Sequence, residues 1–216
     1  MTTKYTVSRR KFLTLSAVSA VGAAFAMSPI ASRTAYATAN NQASIDLDIL
    51  NYALTLEHLE AAAYRAAIST GLLSGAGLKY FQQFGAHEAI HVDTLVKTIS
   101  SLGGTPVQAL AAYNFPKFAS QQEVLTYFQV VEELGAAAYL GQAPRIQNGD
   151  LLTAAVSIHN VEAQHAAILS DLIGVSPSPA FGEAKTMEQV LAVVTPILTP
   201  GSMPSMPVTG LGGSSR

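Results

Sequence analysis

Two stretches of this chain return at a nearly constant offset, and that repeat limits the fold more than any other feature. Glu88-Ala89-Ile90-His91 is matched 74 residues later by Glu162-Ala163-Gln164-His165. Upstream of each, Glu57-His58-Leu59-Glu60-Ala61-Ala62-Ala63-Tyr64 is matched at an offset of 75 by Glu132-Glu133-Leu134-Gly135-Ala136-Ala137-Ala138-Tyr139. On a helix, residues three or four apart lie on one face. The chain therefore carries the same helix pair twice. In each pair a Glu and a His three residues apart can reach a single metal ion: Glu88 with His91, and Glu162 with His165.

The rest of the pattern is helical as well. Over residues 44–70 the apolar positions Leu47, Leu50, Leu54, Ala61, Tyr64 and Ile68 recur at helical spacing, with Gly71 as a stop. A glycine-rich turn leads to a second periodic stretch, residues 78–101, closed by Gly103-Gly104. A turn that short makes the two helices antiparallel neighbours. A longer connection follows, with Pro106 and Pro116 in it and Tyr113, Phe115 and Phe118 to pack it down. Ser120-Gln121-Gln122-Glu123 reads as a capping box, which starts the third helix near Gln121 and carries it to about Gly141. The fourth helix runs from near Asp150 to Gly174. The expected fold is all-α: an antiparallel four-helix bundle over residues 44–174, with one long crossover between helices 2 and 3. Beyond it, Ser176-Pro177-Ser178-Pro179 breaks the pattern, residues 187–198 suit one more short helix, and a Pro/Gly/Ser tail ends an extension over residues 175–216.

Residues 1–37 read as an export address. Ser8-Arg9-Arg10-Lys11-Phe12-Leu13 precedes a weakly apolar run and then Ala35-Tyr36-Ala37, a layout that resembles a twin-arginine signal cleaved after Ala37 or, second, after Ala39. As a first transmembrane helix the run is short and only weakly hydrophobic. The expected location is periplasmic or extracellular. Five of the twelve basic residues precede the cut and none of the fourteen acidic ones does, so the remainder holds seven basic residues against fourteen acidic, a net of −7. Such a domain offers no electrostatic footprint for nucleic acid or, once the signal is cut, for an anionic membrane. The absence of cysteine excludes disulfides, Fe–S clusters and thiol catalysis. With 49% hydrophobic and 12% charged residues, the composition suits a well-buried helical domain, with apolar surface to spare for a homo-oligomer interface.

On these residues the chain resembles the ferritin-like superfamily, and within it an exported group that includes desiccation-related proteins. The resemblance implies a ligand set for two metal ions: one Glu from each of helices 1 and 3, and Glu-x-x-His from each of helices 2 and 4. Mapped here, that set is Glu57, Glu88, His91, Glu132, Glu162 and His165. Four carboxylates balance two divalent ions when the imidazoles are neutral, whereas unfilled they would repel one another. Oxygen and imidazole donors without sulfur suit two Fe or two Mn, with Zn as a further candidate. The implied partner is a small oxidant, dioxygen or hydrogen peroxide. A second reading is a stress- or desiccation-associated protein whose metal pair holds the bundle together without turnover.

Several neighbours fit more than one role. Glu60 fits either an extra carboxylate able to shift at the metals, as in peroxidase-type relatives, or a position beside the ligands or at the surface, which is favoured. Tyr64 and Tyr139 fit carboxylate hydrogen bonding, electron relay or core packing. His58 and Glu133 are expected at a helix boundary or in solvent, His159 beside the ligands or exposed, and His87 at the surface. Ala61-Ala62-Ala63 and Ala136-Ala137-Ala138 let helices 1 and 3 approach closely or leave room for a small oxidant.

Overall fold

The computed structural model describes residues 29–177 and 179–198, with side chains from residue 44 onward. Every regular element among them is helical: α1 (Pro29–Ser69), α2 (Gly75–Ser101), α3 (Gln121–Gln142), a single 3-10 turn (Ala143–Arg145), α4 (Gly149–Leu172) and α5 (Met187–Leu198). Residues 1–28 of the expected signal and the tail beyond Leu198 lie outside the described residues. α1 begins at Pro29, not near Ser44, and so spans the expected cleavage positions. Proline suits the first turn of a helix, and no glycine or proline interrupts the chain from there to Gly71.

Local chemistry sets the other helix ends. Ser120 Oγ accepts from the Glu123 backbone N–H at 3.2 Å, while the Glu123 carboxylate reaches back to the Ala119 N–H at 2.9 Å, one residue earlier than in the usual box. Asn148 caps α4 by accepting from the N–H groups of Asp150 and Leu151. Gly71 and Gly174 stop α1 and α4 at φ 71° and 76°, a region other residues seldom adopt.

The four long helices form a bundle. α1 packs on α2 and α3 on α4, while α1 meets α3 across the centre. Tyr64 of α1 bonds Glu132 of α3, and Tyr139 of α3 bonds Glu57 of α1, a crosswise pairing that only antiparallel helices allow. The crossover, residues 102–120, is held to α1 by the Val107 N–H donating to Asn51 Oδ1 at 2.8 Å. Further along it, the Asn114 N–H donates to the Ile197 carbonyl of α5 at 2.8 Å.

Two apolar cores fill the bundle. One gathers Tyr64, Phe81, Phe84, Phe128 and the inner face of α5; the other gathers Leu54, Leu95, Ile99, Tyr139 and Leu151. Burying a side chain such as Phe81 or Phe84 contributes about 1.5–3 kcal/mol. Along α2 and α4 the apolar residues of the two cores are separated by Glu88 with His91 and by Glu162 with His165. That polar layer is the part of the interior that packing does not explain.

Candidate metal centre

All six residues of the expected ligand set meet in the layer. Glu57, Glu88, Glu132 and Glu162 are fully buried, and His165 and His91 nearly so. Their donor atoms form two overlapping groups, each within 4.8 Å: Glu57, Glu88, His91 and Glu162 in one, and Glu88, Glu132, Glu162 and His165 in the other. Glu88 and Glu162 belong to both. The i,i+3 spacing of each Glu-x-x-His turns its pair inward on one helix face, and the antiparallel arrangement brings the two copies together.

The contacts are too crowded for hydrogen bonding alone. His91 Nδ1 lies 3.2 Å from Glu57, 2.9 Å from Glu88 and 3.3 Å from Glu162 Oε1. His165 Nδ1 lies 3.1 Å from Glu132 and 3.2 Å from Glu88 Oε1. One ring N–H cannot serve three carboxylates. Glu88 Oε1 and Glu162 Oε1 approach the rings without hydrogen-bond alignment, so these two oxygens and Glu162 Oε2 have no partner among the described residues. Unpaired buried carboxylate oxygens around converging imidazoles form a donor set suited to cations.

The protonation energetics agree. Burial, and then the neighbouring carboxylates, push Glu60, Glu132 and Glu162 well above the ordinary glutamate range, and Glu88 up to about 7. Burial works against a charge on His91, but Glu162, Glu57 and Glu88 outweigh it and raise its pKa. Without cations the layer must therefore carry protons.

The surrounding residues divide the expectations. Tyr64 donates to Glu132 Oε1, and Tyr139 donates to Glu57 Oε1 at 2.5 Å, so both tyrosines support carboxylates directly. Glu60 is 4% exposed and not at the surface. It occupies a notch made by its own repeat mate, because a Cβ on Gly135 would lie 2.8 Å from Glu60 Oε1 and 3.1 Å from Glu162 Oε2. Glu60 thus joins the layer, although it belongs to neither four-residue group. His58 contacts the Val107 carbonyl of the crossover at 3.2 Å, whereas His159 contacts the Ala136 carbonyl of α3 at 2.9 Å and sits at a helix boundary; Glu133 is exposed.

His87 corrects an expectation. It is half-buried, with Nδ1 2.9 Å from His165 Nε2, and the two rings are stacked. Phe84 stacks on His165 at 3.9 Å between centroids and lies 6.3 Å from His87. Burial and then the neighbouring His165 and His91 lower the His87 pKa, which keeps the ring neutral. One signal was present in the sequence: the repeat mate of His87 is the apolar Val161, which marks a position facing another helix.

Comparison with known proteins agrees with the fold. The ferritin-like domain family model matches residues 45–175. Among solved structures, a conserved hypothetical protein from Mycobacterium tuberculosis is similar at 22% identity and a TM-score of 0.56, covering 65% of this chain and 98% of that one. Ferritin-like, di-iron-carboxylate proteins from Bacillus anthracis are similar at 21% identity and a TM-score of 0.53, covering 61% and 97%. Likeness at this identity concerns the fold alone. No curated protein matches the chain.

Proposed function

The chain belongs to the ferritin-like domain family, and from that premise we propose that its buried layer holds two metal ions, iron or manganese, and that the loaded protein reacts with dioxygen or hydrogen peroxide. The observation that carries the reading is the pair of overlapping donor groups. Glu57 and His91 would complete one ion's surroundings, Glu132 and His165 the other's, with Glu88 and Glu162 shared between them. When bound, such a pair polarises a small oxidant and exchanges electrons with it. The chain's own residues prepare the site. Tyr64 and Tyr139 hold one oxygen each of Glu132 and Glu57 and fix how those carboxylates turn. Glu60 adds a buried carboxyl that can keep a proton beside Glu162. The apolar cores on both sides exclude water, which strengthens every charge interaction in the layer. The twin-arginine-like segment supports export to the periplasm or the cell exterior. Among the described residues no helix is long and apolar enough to cross a membrane.

Elemental analysis of mature protein from an exporting host, with no metal added, tests the reading. About two Fe or Mn per chain are expected, together with turnover of dioxygen or peroxide that is lost in the Glu162→Ala/His165→Ala variant. Stoichiometric metal that raises the melting temperature, with turnover no better than that variant, would replace it with the structural role.

A further inference from the structure

The two halves of the bundle, equivalent by the internal repeat, are filled differently. Around Tyr64 stand Phe81, Phe84 and Phe128, with ring centroids 5.0, 6.3 and 4.6 Å from it. At the repeat-related positions around Tyr139 the chain has Ala155, Ile158 and Ala53. Three rings are thus replaced by two methyl groups and one branched chain. The result is a cavity of about 30 Å³ lined by those three residues and by Tyr139 itself. A single water needs about 10–15 Å³ counted this way, so the space suits a molecule of a few heavy atoms.

The lining indicates the chemistry of the occupant. It contains no charged side chain. Thr94 and Thr98, half-buried at the α2 edge, donate to α2's own carbonyls at 2.7 and 2.8 Å. Tyr139 donates to Glu57. Of the two remaining polar residues, the buried Gln142 accepts from Arg145 through Oε1 at 2.7 Å, and Tyr52, 8% exposed, has a hydroxyl with no partner among the described residues. A buried water requires two to four polar partners, and an unpaired buried hydroxyl costs about 1–3 kcal/mol. A mostly apolar guest with one polar group satisfies both conditions. The mate of Tyr52, Tyr127, is also unpaired but faces a smaller cavity of about 20 Å³ covered by α5.

We propose that this cavity binds a small, uncharged, largely aliphatic molecule carrying one hydroxyl or carbonyl, with its polar group on Tyr52 and its body against Tyr139. Tyr139 links the guest to the metal layer through Glu57. The guest's role as an organic substrate rests on the function proposed above; the binding site itself does not.

Two probes, xenon and 1-propanol, titrated into the full chain with and without metal, test the site. Saturable ¹²⁹Xe shifts and saturable propanol binding are expected in both forms. Ala53→Phe/Ala155→Phe, which copies the packing of the other half, should abolish both. Tyr52→Phe should leave xenon binding intact and weaken propanol binding threefold to tenfold. No saturable response in the wild-type chain, or a folded double variant that binds xenon as before, would overturn the proposal. If the double variant does not fold, xenon density in wild-type crystals decides: density beside Ala155 and Tyr52 supports the site, and density elsewhere overturns it. Binding that persists in protein unable to take up metal supports the site while removing the metal-centre reading.

Discussion

Around Tyr64 the bundle is closed by phenylalanine rings; around Tyr139, the position related to it by the internal repeat, it is lined by alanines and left partly open. Both tyrosines nonetheless do the same thing, each donating to the glutamate of the opposite helix. Placing the layer therefore does not require the same side chains on its two sides. Backbone register and a few hydrogen bonds orient the carboxylates, while the bulk that excludes water can be concentrated in one half. The half with less bulk is the one where a guest fits.

The largest effect that tests this contrast comes from reversing the packing. Phe81 is fully buried among Tyr64 and Phe128, so Phe81→Ala should cost about 3–5 kcal/mol in chemical denaturation, as the loss of a ring from a dense core does. At the mate, Ala155→Leu should be neutral or stabilise by up to about 1 kcal/mol, because it fills space already present. Equal penalties at the two sites would mean that both halves are packed alike and that the contrast is false.

The second effect, somewhat smaller, belongs to the shared layer and not to either half. A glutamate whose pKa is raised on folding binds more protons folded than unfolded, so its contribution falls as pH rises through the window between the two values. For Glu88 that window runs from 4.5 to about 7, on the order of 3 kcal/mol. Glu60, Glu132 and Glu162 extend the loss to higher pH. His91 has the same sign: its raised pKa gives stability that is fully present below 6.5 and is lost as pH climbs. Metal-free protein should therefore be most stable in acid and weaken steadily toward neutral and alkaline pH, as read by urea midpoints from pH 4.5 upward. Phe81→Ala and Ala155→Leu should move that curve up or down without changing its slope. A flat profile would show that the layer is not buried and coupled as described.

How far the sequence reaches follows from which coordinates each feature depends on. The bundle was legible because a spacing of three or four residues projects onto one face whatever the helix packs against, and because Ser120, Pro106 and Gly71 punctuate the chain locally. The convergence of Glu57, Glu88, His91, Glu132, Glu162 and His165 followed from the repeat once the resemblance supplied the set. Features that depend on the rotation of one helix against another were not legible. Glu60 was half legible: the repeat pairs it with Gly135 and allows a place beside the ligands, but that the glycine forms its notch depends on the register of α1 against α3. The start of α1 at Pro29 was missed because the export-signal pattern competed with helix propensity over the same residues. The cavity was half legible: Phe81, Phe84 and Phe128 can be set against Ala155, Ile158 and Ala53 by subtraction, but an alanine reads as empty space only when its neighbours are known.

The smallest predicted effect concerns His87, which breaks the symmetry of the layer itself. If His165 offers Nδ1 to a metal, its Nε2 carries the hydrogen and donates to Nδ1 of His87, which burial keeps neutral and able to accept. A partner of this kind fixes the tautomer and the tilt of a metal-binding imidazole. Its repeat mate, Val161, has no polar side-chain atom, so the support exists on one side only. In His87→Val both halves become alike at this position, and one of two bound metal equivalents should weaken by about 10–100-fold while the other stays within about threefold. Stepwise metal titration of the two proteins reads this directly. Equal weakening of both equivalents would show that His87 acts through general packing against Phe84 and His165, whereas loss confined to one equivalent would tie it to the orientation of His165.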